Sequence, residues 1–113
     1  MSDDCLFCRI ASGAIPAGFI AETEDAVAFR DISPKAPVHV LVVPRKHISS
    51  LNEADDAQLL GRLLALAANV ARDEGIAEGG YRTIINTRAD GGQTVDHLHI
   101  HVMGGRHMDW PPG

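Results

Sequence analysis

Basic residues are in short supply in this chain. Ten Lys and Arg stand against fifteen Asp and Glu, for a net charge of -5 with histidine neutral. No run of them is longer than Arg45-Lys46, which argues against a nucleic-acid surface. Long apolar runs are missing as well: none approaches the ~18 residues of a membrane span, so no membrane partner is expected. The opening Met1-Ser2-Asp3-Asp4 is acidic and lacks the basic-then-apolar order of a signal peptide, so a cytoplasmic location is expected. Two cysteines are too few for a disulfide framework. There is no G-x-x-x-x-G-K-[ST], hence no phosphate loop of that type. Internal repeats, low-complexity runs and linkers are also missing, and 113 residues make one domain, 1-113, with one core.

What is present is concentrated in His97-Leu98-His99-Ile100-His101-Val102-Met103. Histidine at every second position is the period of a β-strand, which puts the three imidazoles on one face and Leu98, Ile100 and Val102 on the other. Side chains two apart on a strand lie roughly 6.5 to 7 Å apart, so three rings cover a patch about the size of one phosphate with its two esters. A single strand histidine is ordinarily a satisfied surface or core residue. Three in register have no packing rationale, because each buried ring needs its own hydrogen-bond partners.

In chain order, Cys5-Leu6-Phe7-Cys8 comes first. Only four residues precede it, leaving no room for the strand of a thioredoxin-type unit, and a metal knuckle would need histidines to complete it. Metal, inert packing and redox use all stay open on the spacing alone. Phe7 to Gly13 reads as a short helix. Phe19 to Glu22 and Ala26 to Arg30 read as a hairpin around Thr23-Glu24-Asp25. Val38 to Val43 is a β-branched strand stopped by Pro44, with His39 inside it. Glu53 to Asp73 is helical, capped by Asn52, with Leu59, Leu60, Leu63, Leu64, Ala67 and Val70 as its apolar stripe. Tyr81 to Asn86 is a strand. It leads into the polar loop Asn86 to Thr94, whose Gly91, Gly92, Gln93 and Thr94 could form an anion nest beside the histidines. Trp110, in the Pro- and Gly-rich tail, either frays or covers another surface, and a role at an active site or between molecules is expected. The sum is an α+β fold: an antiparallel sheet of about five strands, one long helix and a short N-terminal helix.

The histidine stretch resembles the signature of the histidine triad (HIT) superfamily, His-φ-His-φ-His-φ-φ with φ apolar. Asp31-Ile32-Ser33-Pro34, Pro37-Val38-His39, Pro44-Arg45-Lys46-His47-Ile48 and Gly91-Gly92-Gln93-Thr94-Val95 resemble family blocks in the expected order. Gly104-Gly105-Arg106 with Trp110-Pro111-Pro112-Gly113 resembles the Hint branch. The resemblance implies a nucleotide-binding hydrolase that cleaves purine nucleoside phosphoramidates or related adenylates. It would release AMP or GMP through a covalent nucleotidyl-histidine. By the same resemblance, His99 is the nucleophile, His101 donates to the phosphate, His39 stands behind it, and Thr94 supplies a hydroxyl where the family usually has serine. Asp31 matches the ribose-binding carboxylate; Phe7, Ile10, Phe29 and Ile32 match walls around the base; Asn86 matches a phosphate-side amide, with Gly92 and Gln93 nearby. Cys5, Cys8, His47 and His97 match a structural zinc site carried by some bacterial members, and the chemistry itself needs no cofactor. The branch also implies a homodimer. Asp96, His107 and Asp109 depart from the pattern. Alternatives are a dinucleoside polyphosphate hydrolase of the Fhit branch, a non-catalytic nucleotide-binding or scaffold module, and an open catalytic zinc site made of His97, His99 and His101.

Overall fold

The structure, a computed structural model, describes residues 4-113. Of the acidic start, Met1 to Asp3 lie outside the described residues. Helix α1 is Leu6–Ala11, strand β1 is Ala21–Glu22, β2 is Ala26–Arg30, β3 is Val38–Pro44, helix α2 is Ala57–Asp73, β4 is Tyr81–Ile84, α3 is Arg88–Gly91 and β5 is Ile100–Gly104. The strands form one antiparallel sheet in the order β1-β2-β3-β5-β4. The α+β architecture is therefore as expected. The histidine strand lies inside the sheet, between β3 and β4.

Alternation along the central strands gives the sheet two faces. Val40, Val42, Ile100 and Val102 turn toward α2 and pack with Leu59, Leu63, Leu66, Ala67 and Val70. Leu41, Val43, Val27 and Phe29 turn the other way and pack with Phe7 and Ile10 of α1. His39 and His101 share that second face, because His101 is opposite Leu41 and His39 is opposite Met103. The larger core packs α2 on one face of the sheet, and the smaller one lies on the face that carries His39 and His101.

Several boundaries differ from the sequence reading. The long helix begins at Ala57 rather than Glu53, and its cap is Asp56 rather than Asn52. Asp56 Oδ1 accepts from the Gln58 and Leu59 amides at 3.0 and 3.1 Å, while Ser50 accepts from Asn52 N and starts a separate 3-10 turn, Leu51–Glu53. Ala54 is extended, so the two cannot join. The stripe is rotated too: Leu66 is buried and Leu64 is half exposed. Strand β1 keeps only two of the four expected residues, and β4 ends at Ile84 instead of Asn86.

The most consequential difference is at the histidines. Paired β5 starts at Ile100, so His97 and His99 precede the ladder. Pro44, at the end of β3, has no N–H to extend it, and Leu98 N–H donates instead to Ile48 O at 2.6 Å. The alternation continues through Leu98, which is buried.

Candidate active site and metal cluster

His99 lies where its Nδ1 is 2.7 Å from the backbone carbonyl of His97. A carbonyl only accepts, so Nδ1 carries the proton and Nε2 keeps its lone pair. His101 is set the opposite way. The Lys35 amide donates to His39 Nδ1 at 3.0 Å, so neutral His39 carries its proton on Nε2. That nitrogen is 2.9 Å from His101 Nδ1, which accepts, and His101 therefore bears its proton on Nε2. Two neighbouring rings, with centroids 5.0 Å apart, present one nucleophilic lone pair and one donor.

Burial supports that assignment of protons. The buried environment, with His99 and His39 nearby, pushes His101 down to about 4, and burial also lowers His39 despite the Asp31 carboxylate 3.4 Å away. Both rings are neutral near pH 7. In the unfolded chain they take up protons near pH 6.5, while the folded chain resists doing so until about pH 4 at His101. Between those limits the unfolded state binds more protons, so stability is full above pH 6.5 and falls as pH drops toward 4. Urea midpoints should decrease from pH 7.5 to pH 5, and the decrease should shrink in His101→Gln.

These rings border a cavity of about 330 Å³. Phe7, Ile10, Phe29 and Leu41 line its apolar part, and Asp31, Thr94, His99 and His101 bring its polar groups. Phe7 meets His99 edge-on, centroids 5.1 Å apart at 82°. Asp31 is held by its own turn: Oδ1 accepts from Ser33 N at 2.8 Å. Ile32 also lines the cavity but is 99% exposed, so its side chain is a lip rather than a buried wall. Leu41 was missed by the sequence reading, although it stands two residues beyond His39 on the same face. Ile15, Pro16 and Ala17, on the loop after α1, were missed too, and no periodicity marks them.

Three expected residues lie elsewhere. Asn86 lines a second cavity of about 590 Å³ with His39, His101, Lys35, Arg82 and Trp110, so His101 sits between the two spaces. Gly92 and Gln93 do not line the first cavity, and the expected anion nest is not formed. Their amides close the end of α3 by donating to Ala89 O and Arg88 O at 3.0 and 3.1 Å. The Gln93 carboxamide is committed as well: Nε2 donates to Ser49 O and Val95 O, and Oε1 accepts from Arg88 N. Trp110 is 81% exposed at the rim of the second cavity. Its tail is tethered by Arg82 donating to Asp109 O and Arg106 donating to Lys35 O, at 2.8 and 2.9 Å. Asp96 is exposed.

The cysteines converge on the first triad histidine. Cys5, Cys8, His47 and His97 place one ligand atom each within 4.8 Å of one another. His97 Nε2 donates to Pro44 O at 2.9 Å, which leaves Nδ1 as a lone pair aimed at Cys5 and Cys8 Sγ, at 3.2 and 3.4 Å. His47 Nδ1 is 3.3 Å from Cys8 Sγ. Tetrahedral zinc, with bonds of about 2.3 Å to sulfur and 2.0 Å to nitrogen, sets such pairs about 3.5 Å apart. The donor set fits, and it is closed. Asp31, His39 and His101 also lie within 4.8 Å, but His39 Nδ1 is already an acceptor. A metal on its Nε2 would demand an imidazolate, so this trio does not suit a cation.

The HIT domain description matches residues 12-108. An uncharacterized HIT-like protein of Synechococcus elongatus is 50% identical over 115 aligned positions, covering 100% of both chains. The solved HIT family hydrolase from Legionella pneumophila superposes with a TM-score of 0.93 at 49% identity, over 96% of this chain and 99% of that one. A zinc-bound histidine triad family protein from Mycobacterium smegmatis gives 0.83 at 32% identity, over 97% and 81%. With the domain matched across nearly its whole length, the chain belongs to the HIT family.

Proposed function

We propose that this protein is a nucleotide-binding hydrolase of the Hint branch, cleaving purine nucleoside phosphoramidates or related adenylates to AMP or GMP. The observation that carries the reading is the pairing of tautomers. His99 Nε2 holds a lone pair because Nδ1–H is bound to His97 O, and His101 Nε2 holds a proton because Nδ1 accepts from His39. In the first half-reaction His99 Nε2 attacks the α-phosphorus while His101 Nε2–H donates a hydrogen bond to the phosphate, the P–N bond breaks, and the leaving nitrogen departs as an amine with a proton taken from solvent. In the second, water attacks the same phosphorus, the P–Nε2 bond breaks with its electron pair returning to Nε2, and the proton of water is released to solvent. No external base is needed, since a neutral imidazole is already a nucleophile.

The cavity supports a nucleoside. Phe7, Ile10 and Phe29 offer the base an apolar slot, and Asp31, a two-oxygen acceptor, suits a ribose diol. Thr94 borders the same space as His99 and His101, where its hydroxyl can donate to the phosphate. Cys5, Cys8, His47 and His97 read as a closed structural zinc site, which supplies rigidity and no step of the reaction. The sheet ends at β4, an edge that a second copy of the chain would cover in a homodimer.

A substrate panel tests the reading. An adenosine phosphoramidate should be hydrolysed at least tenfold more efficiently than a diadenosine polyphosphate. The reverse order would move the protein to the dinucleoside polyphosphate branch. No turnover of either, with AMP still bound, would make it a binding module. The leaving group departs on the His101 side, toward the cavity rimmed by Trp110. Deleting residues 106-113 should therefore change the ratio of kcat/KM among leaving amines while the fold persists, and unchanged ratios would contradict this placement.

A further inference from the structure

We infer that the Cys5–Cys8–His47–His97 cluster controls the nucleophile, with His97 and Phe7 as the positioning residues that carry the effect. His97 is wholly buried and engaged at three points. Its Nε2 donates to Pro44 O at 2.9 Å, its Nδ1 faces the two thiols at 3.2 and 3.4 Å, and its backbone oxygen receives His99 Nδ1–H at 2.7 Å. The group that aims the nucleophile and the group that would bind metal thus belong to one residue, two positions before His99.

A second connection runs through α1. Cys5 caps that helix, its Sγ accepting from Cys8 N at 3.3 Å. Phe7, between the two cysteines, is buried and meets both histidines edge-on, with centroids 6.0 Å from His97 and 5.1 Å from His99. A metal bound by Cys5 and Cys8 therefore holds the backbone that carries Phe7. Without it, His97 Nδ1 is held by thiol hydrogen bonds, which are weak. Two supports of one imidazole, its acceptor on Nδ1 and the ring at its edge, are thus tied to the same four ligands.

Partners one bond removed from a reacting group typically change activity 10- to 100-fold, and displacement of a reacting atom by about 1 Å has a similar effect. The expected consequence is a loss of about tenfold in kcat on metal removal. KM and AMP affinity should change less than kcat, because Asp31 and Phe29 lie outside the cluster, although Phe7 and Ile10 on α1 also wall the cavity.

The inference rests on reading His99 as the nucleophile, and the experiment separates the two. Histidine-labelled protein is prepared loaded with zinc, stripped by a chelator, and reloaded with zinc alone. The NMR signal of the His99 Nδ1 proton is followed together with AMP binding, kcat and KM. His47→Gln deletes an exposed ligand without opening a core cavity, and so provides a folded, weakly loaded form for comparison. The loaded protein should show a slowly exchanging Nδ1 proton. In the stripped protein and in His47→Gln that proton should exchange at least tenfold faster, with recovery of the wild type on adding zinc. Identical exchange in all forms, or no zinc uptake, would overturn the inference. A zinc-dependent signal with no turnover in any form would support the coupling and reject the hydrolase reading instead.

Discussion

His99→Ala should lower turnover of an adenosine phosphoramidate by on the order of 10⁴-fold or more, the scale on which enzymes lose activity when a covalent nucleophile is deleted. Its neighbours cannot substitute. The lone pair of His101 is on Nδ1, facing His39 2.9 Å away, and its Nε2 carries a proton. His97 is buried with its Nδ1 among the thiols and its Nε2 on Pro44 O. Water alone would have to attack with no oriented base beside it. Binding should be far less affected, because Asp31 and the apolar slot of Phe7, Ile10 and Phe29 remain in place. Isothermal titration with AMP should give a Kd within a few fold of the parent. The loss of the edge contact with Phe7 costs about 0.5–1.5 kcal/mol, small enough to leave a folded protein. A variant that neither binds AMP nor melts cooperatively would report an unfolded chain rather than a missing nucleophile, so the binding measurement is an integral control.

Metal removal is the second large effect, and it should be read in stability more than in activity. A ligand that binds only the folded state stabilises it by about 4.1 kcal/mol when present at 1,000 times its Kd. At roughly 4 °C per kcal/mol for a chain of this size, chelation should lower Tm by about 15 °C. The cluster joins α1, the turn after β3 and the segment before β5, parts of the chain far apart in sequence. Its loss loosens the face built on Phe7 and leaves the α2 core intact. An open catalytic zinc made of His97, His99 and His101 predicts another pattern: complete loss of turnover with little change in Tm. The hydrogen bonds oppose it, since His97 Nε2 donates to Pro44 O with Nδ1 turned to the thiols, and His101 accepts from His39 at Nδ1 and so carries its proton on Nε2. Scanning calorimetry with and without chelator, alongside residual turnover, distinguishes the two.

The sequence carried most of the site because its signals are local. Alternation from His97 to Met103 placed imidazoles and aliphatics on opposite faces, and that holds even where the ladder has ended. The C-x-x-C was ambiguous by spacing alone. Its partners, His47 and His97, lie 39 and 89 positions beyond Cys8, and only the fold brings them within reach. Other readings failed where two local preferences compete. Asn52 and Asp56 both offer a helix start, and the choice was made by Ser50, which spends its hydroxyl on a separate turn. Gly91-Gly92 suggested inward-facing amides, whereas a short helix over Arg88–Gly91 takes the Gly92 and Gln93 amides onto its own carbonyls. The tautomers of His39 and His101 were not legible, since they depend on the backbone amide of Lys35.

The central claim is that His99 becomes covalently bonded to the nucleotide. Rapid mixing with an adenosine phosphoramidate, acid quench and intact-mass analysis tests it most directly. The account predicts one adenylyl group added to the parent protein, located by peptide mapping on His99, and no addition in His99→Ala. Steady turnover without any adduct at the earliest quench times, and with activity retained in His99→Ala, would mean that water attacks phosphorus directly and would contradict it.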